Sequence, residues 1–274
     1  MNRCIAKSVT SQKIYSRGVV HSVFDKVINI VDSHQLIHTI IGTEEYGLPD
    51  SIVVPTDDFL YLRSICDVGK NWHLIGKELV IDRTLYSIIL PETKDDCKFS
   101  NQYSILTNSL QKRKLSIYIS LADGKPQQLL QNTYWITHII NSLDCCKEEE
   151  LVNTLIAHIG YGPGLTPSGD DFLLGVMAVL SLMNQYNYSE FLEKLSYAIK
   201  TFIEGRTTDI SRKYLLCATQ ERFSRYVKDV VELLITDRSN YIENPIKNLM
   251  CIGESSGLDT MSGIVWAIMK FNKP

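Results

Sequence analysis

The spacing of apolar residues changes character part-way along the chain. In the first part they come in short, β-branched runs broken by Gly, Pro, Asn or Asp, which is the signature of strands. These runs cover residues 14–24, 27–31, 36–41, 52–54, 79–81, 85–90 and 115–119. One helix is expected among them, over 101–112. From about residue 127 the apolar positions fall three and four apart, the helical period. That period predicts helices over 129–143, 148–159, 170–185, 190–204, 210–221, 225–235, 245–250 and 258–270. Ser189 ahead of one run and Gly205 behind it mark helix ends. The expected fold class is α+β. A β-rich domain over residues 1–122 precedes an all-helical domain over 123–274, which carries the Gly-rich segment.

That segment runs Gly160-Tyr161-Gly162-Pro163-Gly164-Leu165-Thr166-Pro167-Ser168-Gly169-Asp170-Asp171, between two helical patterns. A plain corner needs fewer glycines. Gly162, Gly164 and Gly169 together suit backbone N–H groups that approach a ligand with no Cβ in the way. The helix that follows presents unpaired N–H groups and the positive end of its dipole, which favour negative charge. Thr166 and Ser168 add hydroxyls. Ser168 and Asp171 also fit a capping box, with Asp in place of Glu.

A second copy lies near the C-terminus. Ser256, Gly257, Asp259, Met261 and Gly263 repeat the spacing of Ser168, Gly169, Asp171, Leu173 and Gly175. Glycine inside a helix costs roughly 1 kcal/mol against Ala, and close helix contact is the usual reason to keep it. The two helices are therefore expected to start near one another and pack through Gly175 and Gly263. Asp170 has only Leu258 as its counterpart, so the repeat does not explain it. Neighbouring helix residues do not face each other, which sets Asp170 apart from Asp171 as the first candidate for chemistry. Asp171 and Asp259 are the remaining acidic candidates. If a metal is bound, they would hold a hard cation such as Mg²⁺.

Composition narrows the classes. The chain has 274 residues, 45% of them hydrophobic, a net charge of −3 and seven cysteines without regular spacing. That balance argues against a broad nucleic-acid surface. No apolar run reaches the ~20 residues that a membrane helix needs, and the first eleven residues hold no signal-peptide core. The expectation is a cytoplasmic protein with reduced thiols, no membrane segment and no nucleic-acid partner. No phosphate loop or dinucleotide fingerprint is present. His34 and His38 lack a third ligand, and Arg206, Arg212 and Lys213 offer positive charge beside Thr207-Thr208-Asp209.

Residues 162–173 (Gly-Pro-Gly-Leu-Thr-Pro-Ser-Gly-Asp-Asp-Phe-Leu) resemble the signature of a bacterial family that includes AllH, a subunit of the oxamate carbamoyltransferase of allantoin breakdown. Val20 to Asn29, Thr207 to Ser211 and Gly253 to Thr260 resemble three further family motifs. In the last, Glu254 stands where the family pattern carries His, so no imidazole role is carried over there. The resemblance implies a transferase subunit working beside others on small carboxylate amides such as oxamate or oxalurate. It also brings His21, Ser22, Thr208 and Asp209 into the substrate site, with Gly162, Gly164, Thr166, Ser168, Gly169, Ser256 and Gly257. On this reading the amides of Gly164, Ser168, Gly169 and Gly257 hold the carboxylate or carbonyl oxygen, and Asp170 accepts from the attacked amide. Two other readings stand beside it: a non-catalytic assembly or ligand-sensing subunit, and a Mg²⁺-dependent small-molecule hydrolase.

Overall fold

The computed structural model describes residues 2–10, 14–43, 47–82, 86–93, 96–99, 104–107, 110–111, 114, 134–183, 188–238 and 245–271. Two compact units divide the chain, Met1–Cys97 and Lys98–Pro274. The architecture is α+β, strands first and helices after.

In the first unit the strands are β1 (Asn2–Ile5), β2 (Ser8–Val9), β3 (Arg17–Val23), β4 (Val27–Asp32), β5 (Ile37–Ile41), β6 (Ser51–Val53), β7 (Asn71–Ile75), β8 (Glu78–Ile81) and β9 (Tyr86–Ile89). Helix α1 (Thr56–Ile65) lies between β6 and β7. They form one sheet in the order β1-β9-β8-β7-β3-β4-β5-β6-β2. Its two edge strands are nearly contiguous in sequence: Ala6 N–H donates to Ile89 and Lys7 N–H to Val53. A single segment thus serves both edges, and the sheet must curl on itself, which leaves few open edges. Val20, Ile28, Ile30, Ile40, Ile52, Leu79, Ile81 and Ile88 fill the interior around Trp72.

Gly18 permits this packing, because a Cβ there would sit 1.9 Å from the Val31 carbonyl, beside the Trp72 ring. Helix α1 and strands β1, β2 and β7 have no counterpart among the sequence-based elements. Helix α1 buries only Phe59 and Leu62, while Leu60 and Tyr61 between them are exposed, so its apolar residues run together without a helical period. Strand β7 buries Trp72 among polar and half-exposed neighbours. His38 bonds the buried Asp32 at 3.0 Å, and His34 stacks on Tyr15, so each histidine has a structural partner.

The second unit holds α2 (Tyr134–Cys145), a 3₁₀ turn (Glu148–Glu150), α3 (Leu151–Ala157), α4 (Ser168–Met183), α5 (Ser189–Phe202), α6 (Asp209–Ala218), α7 (Arg225–Ile235), α8 (Pro245–Met250) and α9 (Ser256–Phe271). Helix α4 is the axis: every residue in it but Leu174 is buried. A helix apolar on all sides belongs in a core. Helix α9 lies along it.

The helix expected over 101–112 meets a different structure in its described part. Ile105 bridges Thr236, and Ser104 and Leu106 exchange bonds with the end of α7, while Leu110 and Gln111 are helical. Lys114 donates to the carbonyls of Leu233 and Thr236 at the α7 C-terminus, where a cation suits the dipole. The strand expected over 115–119 and the expected join at 122/123 lie outside the described residues.

Candidate functional site

The glycines of the repeat set the helix pair. A Cβ on Gly175 would lie 2.2 Å from the Thr260 carbonyl oxygen, and one on Gly263 would lie 2.0 Å from that of Phe172. Phe172 and Thr260 are themselves equivalent in the repeat, so α4 and α9 meet as a pseudo-two-fold pair. The symmetry extends to the helix starts. A Cβ on Gly169 would strike the His158 carbonyl at 2.0 Å, and one on Gly257 that of Leu249 at 1.8 Å. Each glycine lets its helix start press on the end of the preceding helix.

The serines and aspartates cross over within this pair. Pro167 accepts the first backbone bonds of α4, and Ser255 accepts the bond from Asp259 N–H in α9. Ser168 and Ser256 are therefore first helical residues rather than caps, and no capping box forms within either helix. Asp171 instead faces Ser256 of the partner helix and Thr166, while Asp259 faces Ser168 and Ser255. Both side chains are buried. Asp171 Oδ2 and both oxygens of Asp259 have no hydrogen-bond partner, so the facing hydroxyls favour the charge of Asp259 without bonding it. Burial pushes the Asp171 carboxyl well above the usual carboxylate range, opposed by the Ser256 hydroxyl and reinforced by the charge on Asp259. Burial also raises Asp259, against Ser168 and Ser255. Desolvation dominates in both.

Asp170 is placed differently. One oxygen accepts from Gly160 N–H at 2.8 Å, and the other accepts from the Ser211 hydroxyl at 2.6 Å and from the Thr207 hydroxyl. Burial raises its carboxyl, against those three donors and the nearby Arg206 charge. This one carboxylate ties the start of the Gly-rich loop to the turn that opens α6. Gly160 is required at the joint, since φ is +77° and a Cβ would fall 1.9 Å from the Arg206 carbonyl. Thr208 locks the same seam by accepting from Ser211 N–H, as the α6 cap, and donating to the Leu165 carbonyl.

Above this clamp is an open cavity of about 310 Å³, lined by Gly160, Gly162, Gly164, Pro167, Gly205, Arg206, Thr207 and Thr208. Gly164 and Gly205 have φ of +94° and +71° and no atom within 4 Å of a built Cβ, so bare backbone faces open space there. Among the lining side chains, Arg206 brings positive charge, and the hydroxyls of Thr207 and Thr208 are already committed.

The structure thus brings Gly162, Gly164 and Thr208 to the cavity, with Asp170 beneath it. The amides of Gly169 and Gly257 are taken by the carbonyls of Tyr161 and Ile252, which reduces the expected anion-binding amides to those of Gly164 and Ser168. Asp209 is exposed and pairs with Arg212, which also pairs with Glu204. Lys213 is buried against the Tyr214 ring. His158 is buried at the end of α3, bonded to the Thr154 carbonyl and Ser142, rather than facing the cavity. His21 and Ser22 lie in the first unit. There the β3–β4 register shifts between Val20 and Ser22, and Ser22 joins His21 to a buried Asn29–Thr39 pair. Gly205 is the lining residue that sequence reading took for a helix end alone; its place beside Arg206 was the available signal.

Two family models match the chain. One, described as oxamate carbamoyltransferase subunit AllH, covers residues 158–268, from His158 through the loop, the clamp and both crossed helices. The other, the AllH family N-terminal domain, covers 2–94 and so the whole curled sheet. The chain belongs to the AllH family. No solved structure matches it. Among the described residues no helix is long and apolar enough to cross a membrane. The AllH match begins where the second unit turns from packing helices to the Gly-rich loop. The matched region therefore contains the cavity wall and its supports.

Proposed function

We propose that this chain is a carbamoyltransferase subunit whose Gly-rich cavity binds a small carboxylate amide of the oxamate or oxalurate class. The observation that carries the reading is a wall of left-handed glycine backbone with one guanidinium, Arg206, beside two helix starts. Such a wall suits a compact anion with few side-chain requirements. During carbamoyl transfer the carbonyl oxygen gains negative charge as the carbon becomes tetrahedral. On this reading the amide of Gly164 and the Arg206 side chain, both in the cavity wall, stabilise that charge.

Asp170, with both oxygens engaged, positions the two loops instead of taking a proton. None of the described lining side chains offers an uncommitted nucleophile or base, which supports a division of labour with other transferase subunits, such as the family name implies. A role in allantoin nitrogen breakdown is part of the same proposal.

Calorimetric titration of the purified chain with oxamate, oxalurate and carbamoyl phosphate tests the proposal. Binding of at least one is expected, weakened tenfold or more by Arg206→Ala with an unchanged melting temperature. No binding of any of the three by the folded chain, alone or with its partner subunits, would overturn it.

A further inference from the structure

The crossed carboxylates beneath the loop have no part in that proposal, and they are the least satisfied groups in the described structure. Asp171 and Asp259 together leave three buried carboxylate oxygens without a hydrogen bond. A buried ionised carboxylate without a partner costs several kcal/mol, and native proteins seldom leave such atoms orphaned. The surroundings supply oxygens rather than cations: the hydroxyls of Thr166 and Ser256 face Asp171, and those of Ser168 and Ser255 face Asp259. Asp170 and Tyr214 are the other titratable groups whose fields reach Asp171.

The local charge has a definite deficit. Fully ionised, Asp171 and Asp259 would set two negative charges against the N-termini of α4 and α9, worth roughly half a charge each, which leaves about one charge for a cation to offset.

We propose that Asp171 and Asp259 hold a divalent cation of the hard, oxygen-liganded class, Mg²⁺ or Mn²⁺, between the starts of α4 and α9. One orphan oxygen from each carboxylate is an anionic ligand, and water, with those facing hydroxyls that reach the ion, completes a six-fold shell. No trio of His, Cys, Asp or Glu suited to a metal occurs among the described residues, so this is a two-carboxylate site. Mg²⁺ suits such a site because it commonly takes one or two carboxylates and keeps several waters. The pseudo-two-fold repeat explains why each helix contributes one aspartate and one serine, Asp171 with Ser168 and Asp259 with Ser256; Thr166 and Ser255 lie just ahead of the helices and are not equivalent in the repeat. The cation would join the start of α9 to the start of α4, which the cavity wall leads into at Pro167.

The test uses the full chain, stripped with a chelator and dialysed, then titrated with Mn²⁺ while free Mn²⁺ is followed by electron paramagnetic resonance. One Mn²⁺ per chain is expected, displaced by excess Mg²⁺, together with a melting temperature that rises on Mg²⁺ addition. Asp171→Asn and Asp259→Asn should each weaken Mn²⁺ binding at least tenfold. Each should also melt no lower than the metal-free parent, because the substitution removes a buried charge. Absence of Mn²⁺ binding by the folded parent at millimolar concentration would overturn the proposal without recourse to any variant. So would binding that both variants retain. A metal-insensitive chain that grows more stable as pH falls would assign the pair a shared proton instead, and would equally overturn it.

Discussion

Replacing Gly175 with alanine probes the helix junction most directly. The added Cβ would stand 2.2 Å from the Thr260 carbonyl oxygen and 2.9 Å from the Ile264 amide nitrogen. Both are backbone atoms of a helix held along its length, so no side chain can swing aside. To reach ordinary contact, α4 and α9 must part by about 1 Å, and a gap of that size forfeits roughly a quarter to a half of each dispersion contact it opens. Buried Phe172, Val176, Met261, Ile264 and Val265 lie along these two helices. Overpacking of this kind costs about 2–4 kcal/mol, and alanine's better helix propensity returns about 1. The net loss is about 1–3 kcal/mol, a fall in melting temperature of roughly 2–12 °C.

Gly263→Ala meets the symmetric contact at 2.0 Å and should cost a similar amount. Because one parting of the helices relieves both clashes, the double variant should cost less than the sum by about 1 kcal/mol or more. Urea unfolding of the parent, both single variants and the double variant gives the full cycle. A stabilised Gly175→Ala chain, or strictly additive losses, would refute the close-contact argument.

The other expectations concern the clamp and its neighbours. Asp170→Asn cannot accept from both Gly160 N–H and the hydroxyls of Thr207 and Ser211, so it should lower stability by about 2 kcal/mol; unchanged unfolding with lost turnover would return Asp170 to a proton-transfer role. Thr208→Ala removes the α6 cap and the bond to Leu165, and should cost about 1 kcal/mol in a urea melt. His158 is held below the ordinary histidine value of 6.5, mainly by burial and despite its bond to the Thr154 carbonyl. Its neutral form is favoured in the fold, so that stability is complete above pH 6.5 and is lost as pH falls from there through the lowered value. His158→Gln should flatten this part of the stability–pH curve, and an unchanged slope would count against the assignment.

The sequence by itself determined the change of period, the α+β order and the helices of the second unit, because those rest on local spacing that one chain segment carries alone. It also marked the Gly-rich loop and its C-terminal echo, since left-handed and closely packed backbone leaves glycine as a visible trace. Residues such as Phe59 and Trp72 gave no periodic signal; their elements are held by the curled sheet around them, which a local window cannot register. The partners of the acidic residues were a tertiary matter too. Sequence spacing paired Ser168 with Asp171 and Ser256 with Asp259, but the crossing of α4 over α9 exchanges those partners. Asp170 reaches Gly160, Thr207 and Ser211 only after the chain folds back on itself. Identity and spacing along one helix are written in the chain; which carboxylate meets which hydroxyl depends on how two helices cross, and only packing sets that.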